Sequence, residues 1–65
     1  MIRVNGRQRP HCPGQTLLQL LEELALHPEA VVVELNGEVP PRRQWGETPL
    51  EAGDRLEVVR IIGGG

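Results

Sequence analysis

The groups most open to chemistry in this 65-residue chain stand together in its last stretch, "RIIGGG", where Gly63, Gly64 and Gly65 lead to a carboxylate. A carboxylate is a poor electrophile and becomes an acyl donor only after activation. Glycine suits that task, because without a Cβ its carbonyl is open from either side and its backbone can enter a narrow channel. Fully extended, three glycines reach on the order of 10 Å, enough to carry the terminus from a folded body into another protein's active site. At an average usage of roughly 7%, three consecutive glycines are a poor product of chance. Two plainer origins compete with a functional tail: a disordered terminus, where glycine collects because it loses most freedom on folding, and a linker scar.

Nothing in the sequence could activate that carboxylate from within. There is no nucleotide-binding glycine loop, no acid and base pair and no metal-ligand constellation, so the activating chemistry is expected from a partner. Cys12 is the one cysteine, which excludes an internal disulfide, and His11 and His27 lack partners at zinc-site spacings. No metal or bound cofactor is expected. The net charge is −2 and the seven cations are scattered, which argues against nucleic acid, where phosphate neutralisation calls for clustered cations. "MIRVNG" contains no apolar run long enough for a signal peptide or a membrane span, so a cytoplasmic protein is the expectation. All seven cations are arginine; there is no lysine.

A single domain over residues 1–62 must position the tail at 63–65. "MIRV" alternates and runs into Asn5-Gly6, a pair suited to a tight hairpin because both positions tolerate positive φ. The return, "RQRPHC", contains Pro10, which lacks an N–H and fits a sheet edge. In "TLLQLLEELAL", Thr16 and Gln19 have capping-box spacing and Leu17, Leu20, Leu21 and Leu24 recur at helical intervals. Pro28 is expected to stop this helix. "AVVVEL" reads as a strand entering a second hairpin at Asn36-Gly37, returning through Glu38 and Val39 to Pro40-Pro41. "RRQWGETPLEAGD" is irregular, with a turn at Gly53-Asp54. The last strand, "RLEVVRII", starts by alternating, and then Val59, Ile61 and Ile62 leave apolar side chains near the tail that a sheet covered by one helix cannot fully bury. That placement makes them a candidate docking surface.

The order strand, strand, helix, strand, short strand, strand, with right-handed crossovers, puts the last strand parallel to the first in mid-sheet. The fold class is α+β: a ubiquitin-like β-grasp with a mixed four- to five-stranded sheet and one main helix on one face. At this point the residues carry a resemblance. "VNG", "GQTLLQLLEEL", "ELNGEVPPRRQW" and "LEAGDRLEVVRIIGGG" are similar to the ThiS family of sulfur carriers in thiamine thiazole synthesis. The similarity spans nearly the whole chain. Its most specific pieces are the N-G-E-V-P segment, Trp45, the Gly53-Asp54 turn and the diglycine end.

The resemblance implies a protein substrate and not an enzyme. Gly65 would be adenylated at the expense of ATP by a ThiF-type enzyme, would receive sulfur from a persulfide donor as a thiocarboxylate, and would deliver it to a ThiG-type thiazole synthase. Gly63, Gly64 and Gly65 would enter the partner's active site, with Val59, Ile61 and Ile62 docking beside it. Two alternatives stay open: a sulfur carrier for tRNA thiolation or molybdopterin synthesis, and a plain β-grasp interaction module. Without lysine the chain cannot build lysine-linked chains on itself, which favours a carrier over a chain-building modifier.

The other singular residues read more plainly. Cys12 is expected to be a small, partly buried and inert hydrophobe. Trp45 is expected to fill a gap beneath the long loop, the alternative being contact with a partner. Arg42 and Arg43 are expected to be solvated, the alternative being an acidic partner surface. Asp54 is expected to shape its turn through local hydrogen bonds.

Overall fold

The computed structural model describes residues 1–61. Four strands, β1 (Ile2–Val4), β2 (Arg7–Arg9), β3 (Val31–Leu35) and β4 (Arg55–Arg60), form one sheet in the order β2-β1-β4-β3, with the helix α1 (Leu17–Glu23) between β2 and β3. β4 runs parallel to β1 and antiparallel to β3, so the last strand is central. This is the expected β-grasp order. The expected short strand at Glu38 and Val39 is reduced to a single bridge between Leu35 and Glu38, and the sheet therefore has four strands among the described residues. The reason is local: Pro40 and Pro41 follow at once and carry no N–H with which to continue a ladder.

Both hairpins turn as their sequences require. Asn5 and Gly6 have φ of 51° and 82°, Asn36 and Gly37 of 52° and 86°, the left-handed pair that lets a two-residue turn match the twist of its strands. Helix α1 opens on Thr16, which accepts from the Gln19 amide while the Gln19 side chain accepts from the Thr16 amide, a complete capping box. Its end differs from expectation. The helix stops at Glu23, before Pro28 can act, because Ala25 turns left-handed at φ 58° and the amides of Ala25 and Leu26 donate back to the carbonyls of Glu22 and Leu21. That pattern satisfies the last helical carbonyls and folds Leu26 over the helix end.

The core lies between α1 and one face of the sheet. Ile2 and Val4, Val31 and Val33, and Leu56 point inward from the strands to meet Leu17, Leu20 and Leu21, and the long segment after β3 closes the far side with Trp45 and Leu50. That segment is tied to the helix start by Leu17 N–H donating to Thr48 O at 2.8 Å and Leu50 N–H to Gln15 O at 2.8 Å. Trp45, the only aromatic residue in the sequence, is 2% exposed, and its Nε1–H donates to Pro40 O at 3.0 Å. The expected packing role is borne out. No helix of the described residues is long and apolar enough to cross a membrane.

Candidate functional site

β4 leads toward the glycines, and its alternation divides its side chains between two environments. Leu56 is buried and Val58 half-buried against the core, while Arg55, Glu57 and Val59 stand exposed on the uncovered face. Val59 is 61% exposed and lies directly across from Val32 on β3, itself 42% exposed. Ile61, 49% exposed, follows Val59 by two residues, and its N–H donates to Ala30 O at 2.8 Å. Val32, Val59 and Ile61 thus form an apolar patch at the tail end of the open face. Val59 and Ile61 stand where the expectation put a docking surface; Ile62, Gly63, Gly64 and Gly65 lie outside the described residues.

Val32 escaped the sequence reading, although the signal was there. In a run of three valines with the first and third turned inward, the period of two leaves the middle one outside. Away from the tail the same face turns polar: Glu34 pairs in register with Glu57, and Arg3 with Arg55. Two like charges directly opposed across a ladder cost stability in the isolated domain.

Two side-chain amides hold β4 in place. At its start, Asn36 Oδ1 accepts from Arg55 N–H at 2.9 Å while Asn36 Nδ2 donates to Asp54 Oδ1 at 2.9 Å. Asp54 also accepts from Glu51 N–H at 2.7 Å, so it shapes its turn as expected and ties that turn to the second hairpin as well. Further along, Asn5 Oδ1 accepts from Val58 N–H at 2.7 Å and Asn5 Nδ2 donates to Val58 O at 3.1 Å. Sequence reasoning saw both asparagines only as turn formers.

One expectation needs correction and a second needs an addition. Cys12 is exposed, not partly buried. β2 ends at Arg9 because Pro10 cannot continue it, and Cys12 falls in the following turn, where its carbonyl accepts from Gln15 N–H. Arg42 is exposed as expected and is engaged as well: its Nε–H donates to Pro28 O at 2.8 Å, its Nη2 to Val31 O at 3.1 Å, and its guanidinium lies 5.5 Å from the Trp45 ring centre. It ties the long loop to the outer edge of β3 and stacks on the tryptophan. Arg43 is exposed as expected. Among the described residues no group of three or more histidine, cysteine or acidic side chains could hold a metal ion. His11 meets the backbone, with Nε2 2.8 Å from Leu50 O.

A sequence profile described as the ThiS family matches residues 2–65. A sulfur carrier protein ThiS of Thermus thermophilus is 38% identical over 65 residues, covering all of both chains. A thiazole synthase of Paramagnetospirillum magneticum is 37% identical over 62 residues, 95% of this chain; the chain spans only 19% of that relative's length. Among solved structures, the crystal structure of a thiamine biosynthesis protein (ThiS) from Geobacter metallireducens superposes with a TM-score of 0.80 at 34% identity, covering 98% of this chain and 97% of that one.

Proposed function

The chain belongs to the ThiS family, and from that premise we propose that it is a sulfur carrier for the thiazole moiety of thiamine, a protein substrate and not a catalyst. The observation that carries this reading is the end-to-end match to a sulfur carrier protein ThiS, together with the match to thiazole synthases. The apolar patch on the open face of β3 and β4 supports it, because a substrate that must be held by another protein needs a surface to be held by.

The chemistry follows from the poverty of the carboxylate as an electrophile. The Gly65 carboxylate attacks the α-phosphorus of ATP in the active site of a ThiF-type adenylating enzyme, pyrophosphate leaves, and an acyl adenylate forms. The terminal sulfur of a persulfide donor adds to the carbonyl and AMP leaves, giving an acyl disulfide. A thiolate then attacks the donor's sulfur, releasing the thiocarboxylate and closing a disulfide on the donor side, so that the two electrons come from that thiol. A ThiG-type thiazole synthase consumes the sulfur. ATP is spent on the partner, and no cofactor stays with the carrier. The need for ATP and for reducing thiols places the protein in the cytoplasm.

Intact-mass spectrometry after incubation with the adenylating enzyme, ATP and the persulfide donor is expected to show one oxygen exchanged for sulfur in the last peptide. Recovery of unmodified protein alone, with an enzyme active on an authentic carrier, rejects the reading. Gly64→Val is expected to unfold like the wild type and to lose adenylation, because a side chain there obstructs a channel shaped for bare backbone. Cys12→Ser is expected to form thiocarboxylate normally.

A further inference from the structure

We infer that Asn5 is a positioning residue for the carrier's activation: its side-chain amide replaces a missing peptide group of β1 and fixes the end of β4, from which the docking side chains and the tail depart. The inference rests on the sulfur-carrier reading and adds a residue distant in sequence from both the docking patch and the glycines.

The parallel ladder between β1 and β4 explains the need. Arg3 N–H donates to Asp54 O at 2.9 Å, and Asn5 N–H to Leu56 O at 2.9 Å. In a regular parallel ladder the next step would join the Val58 N–H to the carbonyl of residue 5 and the Val58 carbonyl to the amide of residue 7. The chain cannot supply that step, because it turns back at Asn5 and Gly6. The Asn5 amide supplies both halves instead: Oδ1 takes the Val58 N–H and Nδ2 the Val58 carbonyl. A primary amide offers the acceptor and donor of one peptide unit, so the ladder gains a further step toward the tail. On the opposite side, pairing with the β3 side continues to Ile61 N–H on Ala30 O. Both backbone polar groups of Val58 are thereby closed on the β1 side, while Ile61, three residues on, is bonded on the β3 side.

A hairpin alone does not require this. Glycine at position 5 would satisfy the left-handed turn equally well, and aspartate would keep the acceptor but set a carboxylate oxygen against the Val58 carbonyl. A strand end held in one geometry presents Val59 and Ile61 already ordered, so less freedom is lost on docking. The effect should appear in recognition and not in the chemical step.

The test uses the full chain with Asn5→Gly and Asn5→Asp, measured by amide hydrogen exchange, thermal unfolding and steady-state adenylation. Asn5→Gly is expected to speed exchange of the Val58 amide about tenfold relative to that of Leu24 in the helix, and to raise the KM for the carrier about tenfold with kcat within about twofold, as the loss of such a bonded pair implies. Asn5→Asp is expected to keep much of the Val58 amide protection and to raise KM less. A merely structural role would lower the unfolding temperature and leave KM unchanged in the folded protein. Wild-type KM in Asn5→Gly, or unchanged Val58 exchange, overturns the inference and leaves the carrier reading standing. If the wild-type chain itself is not adenylated, the carrier reading fails first and the positioning role falls with it.

Discussion

The two faces of the sheet divide the labour of this domain between stability and recognition, and β4 belongs to both. On the covered face Leu56 and Val58 meet α1 and the strands around them; on the open face, one residue away, Glu57 and Val59 face outward. The covered face is apolar across β1, β4 and β3, with Arg7 and Arg9 only at its β2 edge, and it is assembled from residues far apart in the chain. The open face is graded, from Arg3 and Arg55 through Glu34 and Glu57 to Val32, Val59 and Ile61 beside the tail. A small domain can therefore change what it binds without changing how it folds, since neighbouring residues answer to different environments. The gradient also orients the face: among the described strand residues, its apolar side chains gather toward the end of β4.

The sharpest way to break this comparison is to remove a side chain from the covered face. Leu21 is fully buried, and Leu21→Ala is expected to cost about 2–5 kcal/mol through lost transfer energy and the cavity left behind. A core of this size rarely supplies more than about 3–5 kcal/mol, so a thermal melt should show a broad loss of the folded state. A loss below about 1 kcal/mol would mean that the helix can collapse onto the sheet and that the covered face is not the seat of stability.

Ile61→Asp probes the other face. A charge set in an apolar contact should weaken association with the adenylating enzyme at least tenfold, about 1.4 kcal/mol or more, with the unfolding temperature nearly unchanged. Titration calorimetry beside a melt separates the two. Equal binding would remove the patch from recognition, and a large loss of stability would make Ile61 part of the core.

Ala25→Gly sharpens the picture of the covered side. Ala25 sits at φ 58°, which places its Cβ too near the following carbonyl, and glycine at this helix end should raise stability by about 1 kcal/mol. Denaturant unfolding with an unchanged slope would read it; a decrease would mean that the flexibility glycine adds to the unfolded chain outweighs the relief. The smallest effect is expected at Glu34. Glu34→Gln relieves its register with Glu57 and should raise stability by about 0.2–1 kcal/mol. A decrease would show that Glu34 is engaged by a favourable partner.

What could be read from the chain alone was what neighbours within a few residues decide. Asn5-Gly6 and Asn36-Gly37 specify their turns because positive φ is a property of the residue itself, and Thr16 with Gln19 specifies a helix start because their side chains reach only one turn of backbone. The spacing of Leu17, Leu20 and Leu21 determined which face of α1 is buried, and the rule for right-handed crossovers placed β4 beside β1. The exposure of Val59 and Ile61 followed from counting faces: one helix covers one side of a sheet. Tertiary structure alone decided the rest. Asn5 meets Val58 across 53 positions, Arg42 reaches Pro28 and Val31 across a loop, and Val32 finds Val59 only once the register of β3 on β4 is set. The helix ended at Glu23, ahead of the proline that local rules named, because the backbone closes its last carbonyls by turning left-handed at Ala25 while Leu26 packs against the core. Local preference fixes dihedral angles one residue at a time, whereas these contacts exist only where packing brings distant segments to within a hydrogen bond of one another.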